Sequence, residues 1–155
     1  MPTTASEIAV GVLAAGQGTR MKSNVTKVLH LIAGRPMLFY PLAAVEALAP
    51  EHLIVVVGRD ADDVRDQFDG RATFVDQIEQ RGTGHAVLQA KDALEGFGGD
   101  VLILYGDTPL LRTETLQRMV ACKAEKNADL VMLTAAIDVP GIVIRGVSGN
   151  VAKIV

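Results

Sequence analysis

Apolar and polar positions fall in blocks along the chain. Ile8-Ala-Val-Gly-Val-Leu-Ala-Ala15 is a nearly continuous apolar run that stops at Gly16, the pattern of a strand buried on both faces. His52-Leu-Ile-Val-Val-Val57, ended by Gly58, repeats it. Ala72–Val75 and Val101-Leu-Ile-Leu-Tyr105 predict a third and a fourth strand, and Leu130–Ala136 a fifth. Between them the period changes. Met37, Leu38, Pro41, Leu42, Val45 and Leu48 follow helical spacing, with Pro36 suited to a first turn and Pro41 confined to one. Asp60 is placed to cap a helix through about Phe68. A helix starting at or just before Thr83 is expected to run to about Leu94 and close at Gly96. Thr113 is placed to cap a further helix, with Leu116, Met119 and Val120 inward.

Strands alternating with helices predict an α/β fold: a Rossmann-like open, mostly parallel sheet with helices on both faces. Ligands of such sheets collect at the carboxyl ends of the strands. Three segments therefore draw the chemistry: Ala14–Lys27, Gln77–Gly84 and Tyr105–Pro109. The stretch Gly16–Ala33 lacks a clean period and reads as a long functional loop with one short helical turn. Gln77–Gly82 reads as a polar loop.

Composition narrows the classes. The chain has 155 residues, 49% of them apolar, and a formal net charge of -3, which suits a folded domain and offers no basic face for nucleic acid. Its single cysteine, Cys122, excludes a disulfide framework and a four-cysteine zinc site. The run Ile8–Ala15 is too short for a membrane span and no basic segment precedes it, so a cytoplasmic protein with no membrane span is expected.

Several chemistries are absent as strings. There is no GxxxxGK followed by Ser or Thr, no GxSxG and no HExxH. A dinucleotide fingerprint counted from Gly16 meets Met21 at its sixth position, and Val57 is followed by Gly58 and Arg59 rather than an acid. What remains is Leu13-Ala-Ala-Gly-Gln-Gly-Thr-Arg-Met21 at the end of the first strand. Small residues there admit a base or phosphate close to the backbone, and successive N–H groups can cradle an anion. Arg20 adds a two-pronged phosphate partner and Lys27 a compact positive charge. Asp107 serves equally as a Mg²⁺ ligand beside phosphates or as a cap on the turn into Thr108-Pro109. Gly106 before it, where bulk would block a ligand, favours the metal. Gln77 carries donors and an acceptor suited to a base edge, Gly82 permits close approach, and Thr83 can donate or cap the next helix. His85 reads as a structural first-turn residue and Cys122 as a small packed or half-exposed side chain.

Taken in order, Leu13–Met21, Lys27-Val-Leu-His30, Ala33-Gly-Arg-Pro-Met37, Gln80-Arg-Gly-Thr-Gly-His-Ala86 and Tyr105-Gly-Asp-Thr-Pro-Leu110 resemble the sugar-phosphate nucleotidyltransferases over nearly the whole chain. The likeness is greatest to the uridyltransferase domain of the bifunctional N-acetylglucosamine-1-phosphate uridyltransferase/glucosamine-1-phosphate acetyltransferases. The first string is shared widely; the Gln-x-Gly-Thr-Gly-His-Ala string is specific to the uridyl branch. Lys22 stands where molybdopterin guanylyltransferases carry glycine. The resemblance implies a nucleotide-diphospho-sugar transferase fold, UTP and N-acetylglucosamine 1-phosphate as substrates, and Mg²⁺ as cofactor. It implies that Leu13, Ala14, Ala15 and Gly16 hold uridine, with Gly18 in the same loop, and that Gln77, Gly82 and Thr83 read uracil. It further implies catalytic roles for Arg20 and Lys27 at the phosphates, and places Tyr105, Gly106 and Asp107 under ribose and sugar phosphate, with Asp107 on the metal. Other readings are a different sugar-1-phosphate nucleotidyltransferase and a non-catalytic nucleotide-binding module.

The pattern departs from the family twice. After Asp138-Val-Pro140 the family runs through Gly-Tyr-Gly-Arg, whereas here Gly141 leads straight to Ile142-Val-Ile-Arg145, which implies a deletion in the sugar-binding loop or, as the fit of both flanks favours, residues missing from the sequence. Val151-Ala-Lys-Ile-Val155 alternates like a strand and stops before the family's glutamate, sugar-binding asparagines and second metal ligand. Residues 1–155 are therefore expected to be the N-terminal, nucleotide-binding part of a uridyltransferase domain. The rest of that domain and a left-handed β-helix acetyltransferase domain, through which the full-length protein would form a homotrimer, are expected beyond it.

Overall fold

The computed structural model describes residues 7–16, 18, 21–58, 61–135 and 143–154. The chain divides into two compact units, Met1–Leu116 and Gln117–Val155. The first holds a four-stranded parallel sheet of β1 (Ile8–Ala14), β4 (His52–Gly58), β5 (Thr73–Gln77) and β6 (Asp100–Tyr105), in the order β5-β4-β1-β6. β1 is thus paired on both sides, Leu13 lying opposite Val56 and Tyr105. The apolar run that predicts β1 is apolar throughout because helices cover both faces.

Alternation along the strands separates two cores. Val10, Val12 and Ala14 of β1 join Val55 and Val57 of β4 on one face, under α1 (Phe39–Glu46), α2 (Asp62–Gln67) and the start of α4 (Thr113–Lys126). Leu38, Leu42, Val45 and Val64 are wholly buried there. Ile54 and Val56 point to the other face, where Ala86 and Ala90, on and just after α3 (Thr83–Gln89), cover them. Thr113 is the first residue of α4 and not its cap: its hydroxyl donates to the Ala44 carbonyl at 3.0 Å, tying the start of α4 to α1. Leu116 is buried, while Met119 and Val120 are half-buried.

The segment after β1 is more ordered than its sequence implies. A 3-10 turn covers Lys27–Leu29, and a hairpin pairs β2 (Leu31–Ile32) with β3 (Arg35–Pro36). Ala33 and Gly34, both at positive φ, form its two-residue turn. Pro36 therefore belongs to a strand and not to a helix. Pro41 is the third residue of α1, among first-turn positions that have no helical acceptor for an N–H.

Other expectations are corrected. β5 runs on to Gln77, because Gly58 still pairs with it. α3 ends at Gln89: the Ala90 and Lys91 N–H groups bond three residues back, which tightens the helix to a stop. A separate 3-10 turn, Asp92–Leu94, then precedes Gly96. Leu130–Ala135 forms no strand; Leu130 is 75% exposed and Leu133 is 53% exposed. An apolar run becomes a strand only where a neighbouring strand takes its hydrogen bonds, and this one has none. The second unit contains instead an antiparallel hairpin of β7 (Val143–Arg145) and β8 (Val151–Ile154). Asp60, Ala136, the Pro140–Gly141 junction and Val155 lie outside the described residues. Among the described residues, no helix is long and apolar enough to cross a membrane.

Leu42 sits at 0% exposure between α1 and the sheet. Leu42→Ala is expected to lower unfolding free energy by about 2–5 kcal/mol, measured by urea denaturation.

Candidate functional site

The carboxyl ends of β1, β5 and β6 open onto a cavity of about 280 Å³. Leu13, Ala14, Ala15 and Gly16 line it from β1, and Gln77, Gly82 and Thr83 from the β5–α3 connection. Lys27, Tyr105 and Asp107 complete it, with Val28, Gln80 and Ala86 beside them. Strand order thus draws together segments far apart in sequence, and the 3-10 turn after β1 adds Lys27 and Val28.

Gln77 is the buried polar residue of this unit, at 4% exposure. Its Nε2 donates to the Gly82 carbonyl at 3.1 Å and lies 3.2 Å from Nδ1 of His85. A carbonyl only accepts, so the amide nitrogen faces Gly82 and the amide oxygen is the atom left for the cavity. His85 is structural, as expected: it buttresses Gln77. Gly82 has φ +96 and is the N-cap of α3, a conformation that favours glycine. No side chain caps that helix, so the Thr83 hydroxyl is not engaged in capping.

Gly106 takes a different part from the one its sequence position implies. It is buried and absent from the cavity wall. Its N–H donates to the Leu13 carbonyl at 2.8 Å, and a Cβ would stand 3.2 Å from that oxygen and from Leu38 Cδ1. Glycine lets β6 turn closely against β1, and Asp107 follows immediately. Asp107 does not close the turn; Thr108 does, its hydroxyl donating to the Tyr105 carbonyl at 2.7 Å. The Asp107 carboxylate is paired instead with the Lys27 ammonium, across 80 positions of sequence. Both side chains are about one-third exposed, at 33% and 35%, so the pair stands at the lip of the cavity in reach of solvent.

The backbone holds Lys27 in place. The Leu38 N–H donates to the Val28 carbonyl at 2.9 Å, and Val28 is buried at 3% exposure. Gly18 approaches from the other side: it has φ +60, and a Cβ there would lie 2.7 Å from Lys27 Cβ. Gly18 thus shapes the site through Lys27 and does not line the cavity. Arg20 lies outside the described residues. Cys122 is half-buried on α4. Gln80, Val28 and Ala86 are wall residues that the sequence reading did not single out. Gln80 and Ala86 bound the string Gln80–Ala86, but a string does not show which way a side chain points.

A family model described as "MobA-like NTP transferase domain" matches residues 10–145. The chain belongs to that family. Among curated relatives, "Bifunctional protein GlmU" of Geobacter metallireducens is 46% identical over 154 residues, covering 96% of this chain and 32% of the relative. "Bifunctional protein GlmU" of Ruegeria sp. is 55% identical over 128 residues, covering 81% and 28% respectively. The chain therefore spans about a third of the length of the curated relatives it matches. Among solved structures, the protein Rv0371c from Mycobacterium tuberculosis, determined as a complex with manganese, superposes with a TM-score of 0.64 at 21% identity. That match covers 77% of this chain and 61% of the other, and shares the fold. The nucleotidyltransferase family named from the motifs is thus the one the comparisons give.

Gly18→Ala would force an L side chain into positive φ and against the Lys27 stem. It is expected to lower nucleotide affinity at least tenfold, a displacement of about 1.4 kcal/mol, read by calorimetric titration.

Proposed function

We propose that this chain is the nucleotide-binding part of a uridyltransferase joining UTP and N-acetylglucosamine 1-phosphate into UDP-N-acetylglucosamine and pyrophosphate. The observation that carries the reading is one cavity that unites a base-sized end, at Gln77, Gly82 and Thr83, with a charged end, at Lys27 and Asp107. The relatives called bifunctional protein GlmU support the same reading.

At the base end, the Gln77 amide oxygen is an acceptor held by two contacts of its nitrogen. Uracil presents an N–H at ring position 3 where cytosine presents a bare nitrogen. An acceptor there favours uracil, and the backbone of Leu13–Gly16 is close enough to meet the rest of the nucleoside.

At the charged end, two anions must be brought together. The attacking oxygen of a sugar phosphate is already ionised, so the displacement at the α-phosphorus requires neither a general base nor a covalent nucleophile. Lys27 exchanges its carboxylate partner for a phosphate oxygen and neutralises charge that grows on the leaving pyrophosphate. Arg20 supplies a second cation to the same phosphates. Asp107, freed from Lys27, offers a hard carboxylate. One carboxylate completed by phosphate oxygens is a donor set that suits Mg²⁺, so Asp107 is the residue that would hold it. Bound there, the ion supplies Lewis-acid neutralisation of the phosphates.

The sugar-binding residues, the acetyltransferase activity and the trimer contacts belong, in this proposal, to the remaining two-thirds of the full-length protein. The UTP requirement places the enzyme in the cytoplasm.

In the full-length protein, pyrophosphate release is expected with UTP and N-acetylglucosamine 1-phosphate, and much less with other nucleotide and sugar-phosphate pairs. Tight UTP binding with no release would replace the enzyme by a binding module. Lys27→Ala and Asp107→Ala are each expected to lower turnover by roughly two orders of magnitude or more. Wild-type rates in either would remove these roles. Gln77→Ala is expected to erode the preference for UTP over CTP by about tenfold, the scale of one hydrogen bond, in competition assays.

A further inference from the structure

Gln80 has no part in the roles assigned above, yet it bridges two walls of the cavity. Its Nε2 donates to the Ala15 carbonyl at 2.6 Å, joining the β5–α3 connection to the end of β1 across 65 positions of sequence. The same carbonyl is met from the β4 side. A Cβ at Gly58 would stand 3.2 Å from the Ala15 oxygen and would press on it. Gln80 also lines a neighbouring cavity of about 490 Å³, which shares Ala14, Ala15 and Gly16 with the first. Ala15 and Gln80 thus border both cavities.

The direction of one carbonyl sets the direction of the next N–H. In a trans peptide the C=O and the following N–H point oppositely. With the Ala15 oxygen held by Gln80 beside Gly58, the Gly16 N–H points the opposite way. Gly16 itself lines the cavity that Lys27 and Asp107 also line. Nothing lies within 4 Å of a Cβ built at Gly16, and glycine crosses its conformational regions readily. The Ala15–Gly16 peptide is therefore free to turn over unless something holds it. Turned over, it would present a carbonyl oxygen to an anionic ligand instead of a donor.

We propose that Gln80 is a positioning residue that locks the Ala15–Gly16 peptide with the Gly16 N–H facing the nucleotide cavity, where it donates to an acceptor oxygen of the nucleotide. The proposal rests on the reading of this cavity as a nucleotide site. Gln80→Met keeps the length of the side chain and removes the donor. Gln80→Glu keeps its shape and sets a carboxylate against the carbonyl. A role limited to filling space would leave both variants alike, whereas a donor role makes Glu the worse.

Two measurements on the full-length protein test it. In steady-state kinetics, KM for UTP is expected to rise about tenfold in Gln80→Met and further in Gln80→Glu, with kcat and the KM for the sugar phosphate within twofold of wild type. In the nucleotide-free protein, the Gly16 amide resonance is expected to be single in wild type and shifted, doubled or exchange-broadened in both variants. An unchanged Gly16 resonance overturns the lock whatever the nucleotide is. So does a parallel loss in kcat, both KM values and melting midpoint, which marks a purely structural residue. A resonance that changes in the variants, in a wild-type protein that does not bind UTP, overturns the uridyltransferase reading and leaves the lock standing.

Discussion

The site depends on β1 being hydrogen-bonded on both sides. A strand between two parallel neighbours has its N–H and C=O groups committed as far as the ladder extends, and no freedom of register. Here the ladder reaches Ala14 on the β4 side, and Leu13 still accepts from Gly106 on the β6 side. Beyond Ala14 the backbone is released. Ala15 and Gly16 then carry polar groups with no sheet partner, at the point where neighbouring strands also end. A buried backbone group left unpaired is costly, so these groups must meet water, a side chain or a ligand. Gln80 takes one of them. Ala15 and Gly16 both line the cavity.

That constraint explains why small residues gather where they do. Gly58 and Gly106 are not flexible joints: each leaves space for a backbone oxygen at the end of β1, Leu13 within the strand and Ala15 just beyond it. Gly18 leaves space for the stem of Lys27. The glycines let the strand ends and the cation converge, and the groups that touch a ligand are their neighbours. Glycine at these three positions is therefore a mark of close packing, whereas Gly16 and Gly82, which line the cavity, have open space beside them.

This also marks what could be read from the residues alone. β1 and β4 are legible because burial on both faces demands continuous apolar runs, and β6 carries the same run although Val101, Ile103 and Tyr105 stand exposed on one face. The loops that form the cavity were legible because ligands gather at carboxyl ends of strands, and Leu13–Gly16, Lys27, Gln77, Gly82, Thr83, Tyr105 and Asp107 do meet there. Leu130–Ala136 was misread because an apolar run does not carry its pairing partner with it. Gln77 was assigned to a loop because polarity hides a strand end that the ladder with Gly58 nonetheless extends. Pro36 was given to a helix because its fixed φ suits a first turn, and the two-residue Ala33-Gly34 turn outweighs that preference. The pairing of Asp107 with Lys27 and the reach of Gln80 were invisible, since both link residues at least 65 positions apart.

The Lys27–Asp107 pair has a consequence for ligand binding. Two opposite charges at about one-third exposure attract each other only modestly against water, so little holds them together. Yet the pair is enough to keep an ammonium and a carboxylate ordered at the same lip. A polyanionic ligand arriving there would meet the Lys27 ammonium already in position and would displace a carboxylate that then offers oxygens of its own. The fixed backbone of β1 and β6 sets where each group sits. The paired charges separate without moving either strand, because one hangs from a 3-10 turn pinned by Leu38 and the other from the residue after Gly106. The sheet thus provides the precision while two side chains provide the change of partner.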